Sequence, residues 1–486
     1  MELVFLYNLL NELMRRTKIV ATLGPASSSE KIVRNLMLAG VNVFRLNFSH
    51  GTHEMHDESI RLIDRLNAEL GLHVATLADL SGPKIRTGEV ENDLMTLTAG
   101  DDMIITTRDT GCHGNRISLN YEHFAEDVKP GDDVLLDDGK LLLKVVSSNG
   151  ADEVQVKVVQ GGILHSRKGV NLPKTTLRLP SLSDKDLRDL DFIVSKNIQW
   201  VALSFVRSAA DITDLRSKLN EICCGTSPRI IAKIEKPEAV ENAEEIIAVA
   251  DAVMVARGDL GVEIPMEKVP LVQKMLAGLC IASSKPVIIA TQMMEGMISG
   301  IRPTRAEVND VANSVLDGAD ALMLSGETSI GNYPVETVET MNRIITSVET
   351  NGRSIQNFEV RNSALERRIS DSIIMAACDL AHKVNAHALI AMTHTGYSAF
   401  KLASHRTGSG IFIFCSNQQL LCALNLVWGV QGIFFEKFSS TDTAMVEMRK
   451  VLLARGFITQ GNYIIYVSSI PIGKAGKTNM LKLSMV

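Results

Sequence analysis

The sequence predicts an α/β protein: a closed (β/α)₈ TIM barrel with an inserted β-rich lid domain and a C-terminal α/β domain. Three observations predict it. Eight apolar, strand-like runs alternate with helix-like segments, charged and hydroxyl residues gather at the C-terminal end of nearly every run, and the alternation lapses between Pro83 and about Pro180. A closed barrel needs eight such repeats, and its chemistry lies at the C-terminal ends of its strands. An open doubly wound sheet is the competing architecture, and the clustering of polar residues at one end favours the barrel.

The strand-like runs are Lys18–Leu23, Val41–Leu46, His73–Asp79, Val201–Phe205, Arg229–Glu235, Ala252–Asp259, Pro286–Thr291 and Ala321–Ser325. Helical periodicity fills the intervals, as in Glu54–Leu70, Asp184–Lys196, Ala209–Asn220 and Arg305–Leu316;. Asp184 and Ser208 read as helix caps. In the interruption, Val154-Gln-Val-Lys-Val158 alternates apolar and polar residues, and Asp137-Asp-Gly139 between apolar runs signals a hairpin;. From about Thr346 the pattern changes again, to a helix at Ser370–Lys383 and strands at Ala388–Met392, Ile411–Cys415 and Tyr463–Val467. The predicted bounds are 1–16 for an N-terminal helix, 17–82 and 181–345 for the barrel, 83–180 for the lid and 346–486 for the C-terminal domain.

Composition narrows the class of function. A chain of 486 residues, 45% hydrophobic and 22% charged, fits a multidomain globular protein;. A formal charge of −6 gives no reason to expect nucleic acid or an anionic membrane as a partner;. Seven scattered cysteines, two of them adjacent at Cys223 and Cys224, read as reduced thiols of a cytoplasmic protein and not as a disulfide frame;. Met1–Met14 is apolar, but Glu2 stands where a signal peptide is basic, and Leu3, Leu6, Leu10 and Leu13 fall at helical spacing;. No later run is long enough to span a bilayer, so no membrane association is expected.

The chemistry is concentrated in two runs, Ile231-Ala-Lys-Ile-Glu235 and Val253-Met-Val-Ala-Arg-Gly-Asp-Leu-Gly261. Lys233 and Glu235 are two residues apart and share a face of their strand. Gly258 permits close backbone approach and delivers Asp259 at the tip of the next strand. Two carboxylates and an ammonium brought together there can hold a divalent cation and stabilise developing negative charge. The second strand ends in Arg45-Leu-Asn-Phe-Ser-His50, where Arg45, Asn47 and Ser49 alternate towards one side and Arg45 offers a rigid fork for phosphate;. Arg86 follows the third strand, Lys168 returns from the lid, and Thr291 ends the seventh strand with a hydroxyl. Singly, each fits a solvated loop or a strand-end salt bridge. Together they fit Mg²⁺-assisted phosphoryl transfer beneath a lid, without a Walker or protein-kinase glycine loop.

Several of these motifs closely resemble pyruvate kinase. They are Arg45-Leu-Asn-Phe-Ser-His-Gly51, Ile231 to Glu235, Met254 to Pro265, Ala290-Thr-Gln-Met-Met294, Pro303 to Val311 and Leu324-Ser-Gly-Glu-Thr328. The likeness runs from about Thr17 to the C-terminus. It implies phosphoryl transfer from phosphoenolpyruvate to ADP, giving pyruvate and ATP, in a cytoplasmic homotetramer using Mg²⁺ (or Mn²⁺). It also implies that Glu235 and Asp259 bind the metal and that Lys233 stabilises the transferring group and the enolate. Arg45 holds the substrate phosphate on this reading, and Gly258, Asp259 and Thr291 line the carboxylate and enolate end. Asn47, Ser49, His50, Arg86 and Lys168 surround the nucleotide phosphates. Two other readings stand beside it: a Mg²⁺-dependent 2-oxo acid lyase or aldolase on a similar barrel, and a catalytically silent metabolite sensor.

Two departures from the family pattern carry expectations of their own. K⁺-dependent relatives read Asp-Thr-Lys-Gly-Pro-Glu-Ile-Arg after the third strand, whereas this chain reads Asp79-Leu-Ser-Gly-Pro-Lys-Ile-Arg86. Leu80 removes a ligand oxygen, and Lys84 puts an ammonium near Asn47, Ser49 and Asp79, so no K⁺ requirement is expected. In the C-terminal domain, Thr393-His-Thr-Gly-Tyr-Ser398 stands where sugar-phosphate-regulated relatives have a loop like Thr-Lys-Ser-Gly-Arg-Ser. Thr393, Thr395 and Ser398 remain as an effector loop, without its two fixed cations, or form an ordinary strand-to-helix turn.

Overall fold

The computed structural model describes residues 15–173, 175, 177–223, 225–351, 367–436, 440–470 and 477–486. The predicted N-terminal helix, 1–16, lies outside them apart from Arg15 and Arg16, which are not helical. Eight parallel strands close a barrel: Lys18–Thr22 (β1), Val43–Asn47 (β2), Ala75–Asp79 (β3), Trp200–Leu203 (β4), Arg229–Ile234 (β5), Ala252–Ala256 (β6), Val287–Ala290 (β7) and Ala321–Leu324 (β8). Each pairs with its chain neighbour, and β8 pairs with β1 through Lys18 opposite Ala321. Their residues are almost all buried, as expected of strands covered on both faces;.

The interior is filled by Val20, Val43, Trp200, Ile231, Met254, Ile288 and Met323. Cys422, Ala423 and Leu426 of the C-terminal domain join the same cluster, and Trp200 Nε1 donates to the Ala423 carbonyl at 3.2 Å. The N-terminal mouth is therefore stoppered by the C-terminal domain, and the polar C-terminal mouth is left for ligands. Arg406 and Asp320 form a second tie between the two, a buried ion pair at 2.8 Å.

Two local expectations are corrected. β6 stops at Ala256, and a short helix, Arg257–Glu263, starts at once, so Asp259 lies in a first helical turn and not at a strand tip. The helix at Asp184–Val194 is capped by Ser183, whose hydroxyl accepts from the Asp186 N–H while Asp186 bonds back to the Ser183 N–H;. Asp184 is thus the first helical residue. Ser208 does cap Ala209–Ile222, with Asp211 completing its capping box.

The interruption is a β-rich unit with its own apolar core and a six-stranded sheet. Its hairpin joins Asp133–Leu136 to Leu141–Ser148, and Asp137 and Asp138 at the turn both have left-handed backbones. The C-terminal domain is a five-stranded sheet in the order β11-β10-β9-β12-β13, formed by Ala388–Met392 (β9), Gly410–Cys415 (β10), Val430–Phe434 (β11), Tyr463–Ser468 (β12) and Met480–Met485 (β13). The edge strand β13 runs antiparallel to β12. Cys112, Cys223, Cys280, Cys378, Cys415 and Cys422 are free thiols. Among the described residues no helix is long and apolar enough to cross a membrane.

Candidate active site

The C-terminal ends of β2, β3 and β5 bring four charged side chains into one buried cluster. Asp79 Oδ2 accepts from Arg45 Nε at 2.7 Å, and its Oδ1 lies 3.3 Å from Lys233 Nζ. Lys233 Nζ also lies 2.8 Å from Glu235 Oε1, as a shared strand face requires. Burial disfavours charge on Asp79, but Lys233 and Arg45 outweigh it and hold its carboxyl below the ordinary range. Burial likewise pulls Lys233 down, and Asp79, Glu235 and Asp259 together reverse this, so the ammonium stays protonated. Glu235 shows the opposite balance. Burial raises its pKa, Lys233 lowers it, and nearby Asp259 raises it again, leaving it above the usual glutamate value;.

Residues that the sequence reading did not single out complete the cluster. Ser204 Oγ accepts from Lys233 Nζ at 2.7 Å and donates to the Leu80 carbonyl at 2.7 Å. The Phe205 N–H donates to Glu235 Oε2 at 2.8 Å. Phe205 holds a left-handed φ of 56°, which for a bulky residue costs about 1–3 kcal/mol and ends β4 two residues before the predicted limit;. Thr291 is left-handed too, with φ 69°, and its Oγ1 accepts from the Gly258 N–H at 2.7 Å. A Cβ on Gly258 would stand 3.3 Å from that oxygen, which explains the glycine. Arg257 grips Asp310 with both terminal nitrogens at 2.7 Å and donates to the Thr291 carbonyl at 2.8 Å. Neither left-handed residue is a glycine, so their backbone strain has no signature in the sequence.

Two adjoining cavities open here. A small polar one of about 120 Å³ is lined by Arg45, Lys233, Glu235, Asp259 and Thr291, and also by Asn47, Ser49 and His50. A larger cleft of about 290 Å³ lies between lid and barrel, with Lys168, Asp137 and Arg207 on its walls. Lys84, Arg86 and Asp259 border both. The residues predicted to surround the nucleotide are therefore divided: Asn47, Ser49 and His50 lie in the small cavity, Lys168 in the cleft, and Arg86 between them. Lys168 pairs with Asp137 at 3.0 Å. Against partial burial, Lys168 and Lys140 keep the Asp137 carboxyl below its ordinary value. Arg86 Nη1 donates to the Arg167 carbonyl at 2.9 Å.

The barrel sequence over residues 14–338 matches the family described as "Pyruvate kinase, barrel domain", and residues 371–484 match "Pyruvate kinase, alpha/beta domain". The chain belongs to the pyruvate kinase family. It is 43% identical to a pyruvate kinase of Corynebacterium glutamicum and 42% identical to one of Mycobacterium tuberculosis, in each case over 97% of this chain and 98% of the relative. The crystal structure of a pyruvate kinase from Cryptosporidium parvum superposes with a TM-score of 0.92 at 33% identity, covering 98% of this chain and 97% of that one. The chain is accordingly an enzyme, a kinase with pyruvate kinase function. That function implies phosphoenolpyruvate and ADP as substrates and pyruvate and ATP as products, and pyruvate kinases generally use Mg²⁺.

The loop Thr393–Ser398 leads from β9 into the helix Tyr397–Ser404, and its Thr395 carbonyl accepts from Arg229 at the N-terminal start of β5 at 3.0 Å. Thr393 Oγ1 accepts from the Gly396 N–H at 3.0 Å, Tyr397 N lies 3.5 Å from Thr395 Oγ1, and Ser398 Oγ is 3.2 Å from Thr478 Oγ1.

Proposed function

We propose that phosphoryl transfer takes place in the small cavity, with phosphoenolpyruvate beside Lys233 and the nucleotide in the cleft under the lid. The observation that carries this reading is the Lys233 ammonium at the cavity wall, kept charged against its burial by Asp79, Glu235 and Asp259. A fixed cation there stabilises negative charge on the transferring group and on the enolate without reorganising during the reaction. Arg45, anchored through its Nε to Asp79 and through its Nη1 to the Thr22 hydroxyl at 3.1 Å, offers its remaining N–H groups to the substrate phosphate;. Gly258, Asp259 and Thr291 line the carboxylate and enolate end. The enolate carbon then takes up a proton, a step we assign to the Thr291 hydroxyl with ordered water to resupply it; at rest the hydroxyl donates to the Ala290 carbonyl at 2.6 Å. Arg86 and Lys168 receive the nucleotide phosphates, which take over Lys168 from Asp137, while Asn47, Ser49 and His50 bound the region shared by the phosphates and the metal. The phosphoryl group passes directly between bound substrates, so positioning and electrostatics account for the rate.

The donor set fits a divalent cation. Glu235 Oε1 is buried without a hydrogen bond, and its carboxyl is pushed up by burial and by Asp259 across the same cavity, a pairing that a Mg²⁺ (or Mn²⁺) ion would relieve;. Glu235 and Asp259 are the residues to hold it, and bound there it would neutralise phosphate charge. The Glu235→Gln and Asp259→Asn enzymes are expected to need at least about ten times more Mg²⁺ for half-maximal rate. Mg²⁺ titrations that superpose on wild type would remove these two residues from the metal site.

We further infer that the enzyme needs no K⁺. Lys84 lines the small cavity with Asn47, Ser49 and Asp79, and its ammonium lies over the Phe205 ring, 5.6 Å from the centroid. Among the described residues it forms no ion pair. Leu80, buried beside it, offers no side-chain oxygen. A tethered cation at this place disfavours a second one nearby. Turnover with Mg²⁺ in tetramethylammonium salts is expected to be close to that in K⁺, and Lys84→Glu is expected to create K⁺ dependence. A wild-type enzyme that is idle until K⁺ is added contradicts this reading.

We assign the enzyme to the cytoplasm as a homotetramer, and the exposed apolar side chains of Met266 and Leu271 on one flank of the barrel agree with an assembly between copies. As for regulation, Thr393, Thr395 and Ser398 are proposed as a weakened effector loop. Thr393 and Ser398 are buried and engaged inside the protein, by the Gly396 N–H and the Thr478 hydroxyl, and His394 and Tyr397 replace the cations of the sugar-phosphate-regulated pattern. Fructose 1,6-bisphosphate at micromolar concentration is expected to change the phosphoenolpyruvate saturation curve little, and strong activation would refute this.

A further inference from the structure

Lys233 has three partners, and one of them is neutral. Glu235 Oε1 and Asp79 Oδ1 lie 2.8 and 3.3 Å from its ammonium, and neither makes a hydrogen bond of proper direction. Ser204 Oγ, at 2.7 Å, does. A hydroxyl has one proton to give, and that of Ser204 goes to the Leu80 carbonyl at 2.7 Å, so its lone pairs are left for Lys233;. Ser204 is almost wholly buried.

The seat of this serine is fixed from both sides. At the left-handed Phe205 that follows, the Phe205 N–H donates to Glu235 Oε2, so consecutive residues hold Lys233 and Glu235. On the other side Gly82 packs so closely that a Cβ there would stand 2.9 Å from Ser204 Cβ and 2.8 Å from Phe205 Cδ2. The loop that contains Leu80, Gly82 and Lys84 is thereby locked to the Ser204–Phe205 turn.

We propose that Ser204 is a positioning residue for Lys233: its oxygen draws the ammonium away from full engagement with Glu235 and Asp79, leaving that charge available to the transferring phosphoryl group. Without it the ammonium settles on the carboxylates, in a cavity where a misplacement of about an ångström costs up to roughly 100-fold in rate. The proposal rests on the role given above to Lys233, and its test separates the two.

The test is a double-mutant cycle in kcat, with Ser204→Ala made in the wild-type and in the Lys233→Met background. Residues that act through one another are non-additive. Ser204→Ala is expected to lower kcat about 10- to 100-fold in the wild type, with KM for phosphoenolpyruvate changed less than about threefold, and to cost less than about twofold once Lys233 is methionine. Equal losses in both backgrounds, or no loss in the first, would overturn the proposal, since a merely structural serine is missed equally with or without Lys233. Should the alanine enzyme not fold, Ser204→Cys fills the same space with a poor acceptor and gives the same reading in the same two backgrounds. Near-normal kcat for Lys233→Met alone would overturn the role of Lys233, and the proposal with it.

Discussion

One buried carboxylate organises the catalytic mouth. Asp79 lies at the end of β3 with Arg45 on one oxygen and Lys233 near the other, and it is the shared anion that lets both cations exist in a dry cavity. Two cations and one anion leave net positive charge. Glu235 and Asp259 add negative charge on the far side of Lys233, and the resulting field suits a phosphate together with a divalent cation better than either alone. A buried ion pair contributes little to net stability, but removal of one partner strands the other, so this cluster stands or falls as a unit.

The strained positions serve the same cluster. Phe205 and Thr291 hold left-handed backbones that bulky or β-branched residues adopt at a cost, and each aims a group into the cavity: the Phe205 N–H at Glu235, the Thr291 hydroxyl at Gly258. Arg257, clamped to Asp310, holds the Thr291 carbonyl from behind. The barrel supplies a rigid frame for this, its opposite mouth filled by Cys422, Ala423 and Leu426. The lid adds its cation by a different device, since Lys168 waits on Asp137 inside the lid itself.

Much of this was readable in the chain because strand geometry is local. Apolar runs at regular intervals gave the barrel, and a two-residue spacing put Lys233 with Glu235. The lid hairpin followed from Asp137-Asp-Gly139. What escaped depends on contacts between distant segments. In the sequence Asp79 is only a carboxylate near Lys84, and its service to Arg45 and Lys233 needs β2, β3 and β5 side by side. Ser204 is an ordinary serine until the Leu80 carbonyl and the Lys233 ammonium flank it. The apolar run ending in Arg-Gly-Asp suggests that Asp259 ends a strand, whereas the chain turns into a helix one residue before Gly258. No glycine marks Phe205 or Thr291 as left-handed, so their strain was invisible.

Urea unfolding of wild type and Asp79→Asn, compared from pH 7 down to pH 3.5, tests most directly whether Asp79 is the keystone. Its carboxyl titrates lower in the folded protein than in the unfolded chain, so its contribution is fully present above the ordinary aspartate value and fades as pH falls towards the folded one;. The expected result is a deficit of about 3–5 kcal/mol for the asparagine enzyme at neutral pH, narrowing below about pH 4. Midpoints that coincide at pH 7, or a deficit that does not change with pH, would contradict the account.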